Sequence, residues 1–116
     1  MQPEIKSLLY DMQQACHLIL QFTDGKDFSH YAEDIACKSA VERQFITLGE
    51  ALNRVYKIDP AIGDQVPAHR DIINFRNILV HGYDCVEDEV VWGIIRKYLP
   101  DLYQSVNRLM SDDQNS

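Results

Sequence analysis

Residues 40–55 read AVERQFITLGEALNRV, and their apolar side chains recur at Val41, Phe45, Leu48, Leu52 and Val55. Steps of four, three, four and three put all five on one stripe of an α-helix, whereas a half-buried strand requires alternation. Tyr31 and Ile35 extend the stripe less regularly, so the spacing predicts one helix over 28–56, about 30 residues and roughly 40 Å long. In so short a chain the ends of such a helix project beyond a single bundle, and pairing with a second copy is a natural way to cover them. Gly49 falls beside the seam, where the missing side chain lets another helix approach closely.

Toward the N-terminus, Ile5, Leu8, Met12, Ala15, Ile19 and Phe22 step by threes and fours, and Leu9 and Cys16 widen the stripe. This predicts a first helix of about five turns with one buried face. TDGKD then breaks it, and Asp27 or Ser29 is placed to cap the next helix. Toward the C-terminus, KIDPAIGDQVPAHRD carries two prolines and a glycine and reads as a connector. Pro67 suits the first turn of a third helix, where its missing N–H costs nothing. Ile72, Phe75 and Leu79 mark one face of that helix, with Ile73 and Val80 adjoining, and Gly82 is expected to end it in a left-handed C-cap. A fourth helix is expected from about Glu87, with Glu87, Asp88 and Glu89 at the positive end of its dipole. Val91, Ile94, Ile95, Tyr98, Leu102, Val106 and Leu109 form its stripe, and Pro100 kinks or splits it. The prediction is all-α: an antiparallel bundle of four main helices, one domain over 1–110, and a polar tail over 111–116 expected to fray.

The 116 residues suit a single domain with a real core, at 46% hydrophobic and 25% charged. No apolar run reaches the roughly 18–20 residues that cross a bilayer, and MQPEIKSLLYDMQQ lacks the layout of a signal peptide. The expected location is cytoplasmic, with no membrane partner. Cys16, Cys37 and Cys85 have no short spacing, so neither a disulfide framework nor a zinc site is implied. Cys16 and Cys37 sit in apolar patterns as small core residues. Cys85 lies nearer the polar cluster discussed next, but no basic neighbour marks it as a nucleophile. A net charge of −7 argues against sheathing nucleic acid in a basic surface. It leaves room for a local cationic cleft, and residues 69–81, with Arg70, Arg76 and two histidines, supply one.

Chemistry concentrates in FRNILVHGY, residues 75–83. Arg76 and His81 are five apart, about 140° around a continuous helix, which converges poorly on one ligand. Asn77 and His81, four apart, share a face. Gly82 lets the helix end at His81, and a two-fold dimer lets motifs from two copies line one cleft. Either gathers Arg76, Asn77 and His81 around a phosphodiester. Imidazole can take a proton from a ribose 2′-hydroxyl or return one to the leaving 5′-oxygen. Guanidinium can grip the non-bridging oxygens as charge develops. Asn77 could orient His81 or a phosphate oxygen, and Tyr83 could stack on substrate or expose a phenol for modification. This chemistry needs no metal and no cofactor. A plainer reading stands beside it: a histidine next to a C-capping glycine also complements a helix dipole with no activity at all.

Other polar residues carry less. His17 and His30 are isolated and read as surface positions. Glu33 with Asp34, and Asp112 with Asp113, read as solvated. Glu87, Asp88 and Glu89 read as a helix start before they read as a cation site. Glu42 and Glu50 have Arg43 nearby, and surface ion pairing is the ordinary expectation.

Taken with its flanks, RNILVHGY resembles the Arg-x4-His-x-Tyr signature of HepT-type toxins in the HEPN superfamily of helical ribonucleases. AVERQFITLGEALNRV is similar to that family's long second helix, RDIINFRNILVHGY to its third and VVWGIIRKYLPDLY to its fourth. The likeness covers about 39–103. It implies a homodimer whose ribonuclease site lies where both motifs meet. By position, Arg76 and His81 would be catalytic, and Asn77 would be the polar residue after the motif arginine. The implied activity is metal-independent endonucleolytic RNA cleavage leaving a cyclic phosphate. The resemblance also implies a toxin–antitoxin pair of type VII kind. Its antitoxin, a minimal nucleotidyltransferase (MNT), transfers AMP to the motif tyrosine, here Tyr83, as O-AMP-tyrosine. Added charge and bulk there would repel RNA phosphate from Arg76 and His81. The alternative on the same residues is a non-catalytic module that binds a nucleotide or docks a nucleotidyltransferase.

Overall fold

A computed structural model describes residues 1–82 and 86–114 of the chain. Seven helices occupy the described residues: α1 (Pro3–Thr23), α2 (Phe28–Glu33), α3 (Ile35–Ile58), α4 (Pro60–Asp64), α5 (His69–His81), α6 (Asp88–Lys97) and α7 (Leu99–Gln114). The all-α bundle expected from the apolar periodicity is the fold. α3 is its spine, packed on α1 along one side and on α5 along another, and α7 closes against α1.

The apolar stripe of α3 lies at the centre of the core. Val41, Phe45, Leu48, Leu52 and Val55 are fully buried, as are Leu9, Met12, Cys16 and Ile19 of α1. Each such side chain contributes about 1.5–3 kcal/mol by leaving water. Phe45 meets Phe75 of α5 edge-on, with ring centroids 5.2 Å apart, a preferred aromatic geometry. Gln13 donates to Asn107 at 2.7 Å and ties α1 to α7. Burial pushes the Cys16 thiol up to about 12, which agrees with a core role and not a reactive one.

Several local features differ from expectation. The single helix over 28–56 is two, broken at Asp34, whose backbone is extended at φ −98° and ψ 92°. Its carboxylate accepts from the Cys37 N–H at 2.9 Å, starting α3 afresh. Ile35 is therefore not part of the seam and is 75% exposed, while Tyr31 is buried and lies against Trp92. Pro67 does not open the third helix. Ala68 precedes α5 in the left-handed region at φ 59°, and the connector forms the extra turn α4 after Pro60. Gly82 does follow the last helical residue, but at φ −87° it is right-handed, with its N–H donating to Ile78 at 2.6 Å.

At the C-terminal end, α6 stops before Tyr98 and Pro100 sits in the first turn of α7, where it loses no helical hydrogen bond. The segment expected to fray from 111 is helical as far as Gln114. Asp113 is not simply solvated, since it lies 3.3 Å from the N-terminal amine and 3.1 Å from Lys6 Nζ. Among the described residues no helix is long and apolar enough to cross a membrane.

Candidate active site

α5 is the element that carries the candidate residues, and its two sides have different surroundings. Ile72 and Phe75 turn inward and are buried. Arg76 lies along the junction with α3, its side chain 25% exposed. Gly49 permits this position, because a Cβ there would fall on the Cβ of Arg76. The close approach anticipated at Gly49 is thus made by the stem of the candidate arginine.

The guanidinium is held at both ends. Nη2 donates to Glu50 at 3.1 Å and Nη1 to the Asn77 amide oxygen at 2.9 Å. Nε is shut off from water and has no hydrogen-bond partner among the described residues. Both anchored nitrogens face groups that a phosphate oxygen could replace, since each is an oxygen acceptor. Glu50 makes the surface ion pair expected of it, and its partner is Arg76 across the helices. No signal within 75–83 marks it. The available clue was its position next to the one glycine in the α3 seam.

His81 is the last helical residue and is exposed. Among the described residues its ring makes no hydrogen bond. Because α5 runs unbroken to His81, ideal helix geometry keeps it about 140° around the axis from Arg76. One copy of the chain therefore joins Arg76 and Asn77 directly and leaves His81 on the outward side. Tyr83 and Cys85 lie outside the described residues.

Beside the end of α5, Phe75, Ile78, Val86, Glu87 and Val90 line a cavity of about 290 Å³. Ile78 and Val90 are 44% and 51% exposed there. Two further acidic residues are engaged elsewhere. Asp88 pairs with Lys38 at 3.2 Å, and Asp27 caps α2 through the His30 N–H at 2.8 Å. His17 lies near the Tyr103 ring, centroids 6.4 Å apart.

The profile of one protein family, described as Ribonuclease HepT-like, matches residues 12–109. The chain belongs to the HepT-like ribonuclease family. The match takes in α3, α5 and α6 whole and most of α1 and α7, so it covers the site and its scaffold together. Named relatives agree. "Probable ribonuclease HepT" of Thermococcus cleftensis is 27% identical across 90% of this chain and 94% of its own length. "Putative RNase MJ1216" of Methanocaldococcus jannaschii is 26% identical across 97% and 96%. "Putative RNase TTE0752" of Caldanaerobacter subterraneus is 25% identical across 87% and 89%. No solved structure matches significantly. HepT-like membership assigns the ribonuclease fold and leaves the roles of Arg76 and His81 to be argued from geometry.

Proposed function

We propose that the protein is the toxin of a toxin–antitoxin pair, a metal-independent endoribonuclease acting as a homodimer. The observation that carries this is the division of α5: a guanidinium held against α3 with replaceable oxygen partners, and an imidazole left unoccupied on the outward side of the same helix. Two copies related by a two-fold axis would place the outward His81 of one against the α3–α5 junction of the other. The exposed Ile78, one turn before His81 on α5, and Val90, which lines the same hollow as Ile78, supply apolar surface for that contact.

In this mechanism Arg76 exchanges Glu50 and Asn77 for the non-bridging oxygens of the scissile phosphate. His81 removes the proton from the ribose 2′-hydroxyl, and the 2′-oxygen forms the new bond to phosphorus. The bond to the 5′-oxygen breaks, that oxygen receives a proton from imidazolium, and a cyclic phosphate remains on the 3′ side. Asn77 steadies the guanidinium or a phosphate oxygen. Tyr83 contacts substrate and is the AMP acceptor by which an MNT-type nucleotidyltransferase antitoxin silences the site.

The purified protein should cut RNA in EDTA, with His81→Ala slower by about 10²–10⁴-fold and unchanged in thermal unfolding, because the ring makes no hydrogen bond among the described residues. Undiminished cutting by this variant would remove His81 from the mechanism. A second reading is favoured by the neutralising Glu50 contact: a non-catalytic module in which Arg76 and His81 only contact a nucleotide or a docked nucleotidyltransferase. Growth arrest on expression, lost with Arg76→Ala, separates the two.

A further inference from the structure

α5 carries a second polar group, at its first turns, that the cleavage chemistry does not use. His69, Arg70, Ile73 and Asn74 line a cavity of about 290 Å³ together with Asn53 and Tyr56 of α3. Tyr56 and His69 stack, with centroids 5.2 Å apart and planes 30° from parallel. The pair is fixed from both sides. The Tyr56 hydroxyl donates to Asp64 of α4, and His69 Nδ1 lies 3.0 Å from the Val66 carbonyl. Gly63 permits the arrangement, since a Cβ there would fall on the Tyr56 ring. His69 Nε2 is buried, 3.7 Å from Asp64 and too far for a hydrogen bond, and has no other partner among the described residues. The connector thus holds two aromatic rings at a partly polar hollow and leaves part of their polar capacity unused.

We propose that this cavity binds one nucleotide of the RNA strand being cleaved, a subsite away from the scissile linkage. The proposal rests on the ribonuclease reading for the identity of the strand. A fixed ring pair offers a surface on which any base can stack. The amides of Asn53 and Asn74 each bring a donor and an acceptor, the set that pairs with a base edge. Arg70, exposed at the rim, is a cation for the adjoining phosphate. The volume lies at the small end of ligand sites, suiting a single base and no longer stretch of strand.

Position supports the same reading. Arg70, Asn74, Asn77 and His81 are all exposed, and ideal helix geometry sets them within about 60° on one face, over about 16 Å. A strand lying on that face reaches from His81 to the cavity. A net charge of −7 works against long-range attraction of RNA, so specific contacts such as these carry more of the binding.

The test uses full-length protein and a short oligodeoxyribonucleotide, which lacks the 2′-hydroxyl and is not cut, followed by NMR. Binding should shift the His69 ring and the Asn53 and Asn74 side-chain amides, and Arg70→Ala with Asn74→Ala should weaken it at least tenfold. Unmoved signals at these residues, or equal binding by the double variant, would overturn the proposal. AMP alone binding as tightly as the strand would also overturn it, in favour of a free-nucleotide site. Cleavage lost in His81→Ala with the shifts retained supports the subsite beside a separate reaction centre. Native protein that shows the shifts but cuts no RNA sinks the ribonuclease reading while the nucleotide site stands.

Discussion

At the scale of single residues, the informative contact is the one between Arg76 and Glu50. A partly exposed ion pair of this kind contributes about 0.2–1 kcal/mol, less than a guanidinium stands to gain from a bidentate grip on the singly charged phosphodiester. Glu50 is therefore suited to parking the arginine in the empty protein and yielding it to substrate. Glu50→Gln keeps an acceptor but removes the competing charge, so RNA should bind several-fold more tightly, as read by fluorescence anisotropy. Weaker binding by the variant would show that Glu50 positions the arginine instead of competing for it. Glu42, two turns earlier on α3, behaves differently. Burial first, and then the Asp88 carboxylate, raise its pKa above the ordinary value, with Lys38 opposing. A folded-state value above the unfolded one means the folded chain binds the proton more tightly. The resulting destabilisation is absent below the unfolded pKa and grows as pH rises through the folded one. Glu42→Gln should accordingly raise the melting temperature at pH 7 and converge with the native protein toward about pH 4. Neither role was legible from the sequence, where Glu42 and Glu50 look like two surface acids near Arg43.

At the scale of elements, the crossing of α3 and α5 sets the site. Gly49 is the contact point, and the neighbouring atoms are the Cβ and Cγ of Arg76 and the Ile72 carbonyl, none of them the free end of a flexible chain. Gly49→Ala should cost about 1–3 kcal/mol, the usual penalty of overpacking, in urea unfolding, and should slow RNA cleavage by moving Arg76. Full stability in this variant would mean that the helices can separate without cost. The seam of α3 and the stripe of α1 were readable because burial imposes the helical period on apolar residues. The break at Asp34 was not. Aspartate is tolerated within a helix and also caps one, and the choice was made by where Tyr31 could reach the core beside Trp92. Pro67 misled for a related reason: proline tolerates a helix start, but a left-handed Ala68 delayed it by two residues.

At the scale of the whole molecule, the proposed chemistry requires Arg76 and His81 to meet at one linkage. Within a copy they lie on different sides of α5, so an active site shared between two copies makes a distinctive prediction. Arg76→Ala and His81→Ala proteins, each inactive alone, should regain part of the cleavage activity when mixed and allowed to exchange subunits, measured on a quenched fluorescent RNA. Mixtures that stay inactive despite demonstrated exchange would confine the chemistry to a single chain.

The amino-acid order alone determined that this protein is helical, which faces of its long helices are buried, and that arginine, asparagine and histidine gather at the end of one of them. Those follow from local periodicity and spacing, which adjacent residues carry in full. The tertiary structure decided that Glu50 holds Arg76, that Gly49 admits it, that Tyr56 and His69 stack over a cavity, and where α2 gives way to α3. Each of these depends on atoms distant in the chain meeting across a packed interface, and periodicity specifies which face is buried without specifying what it is buried against.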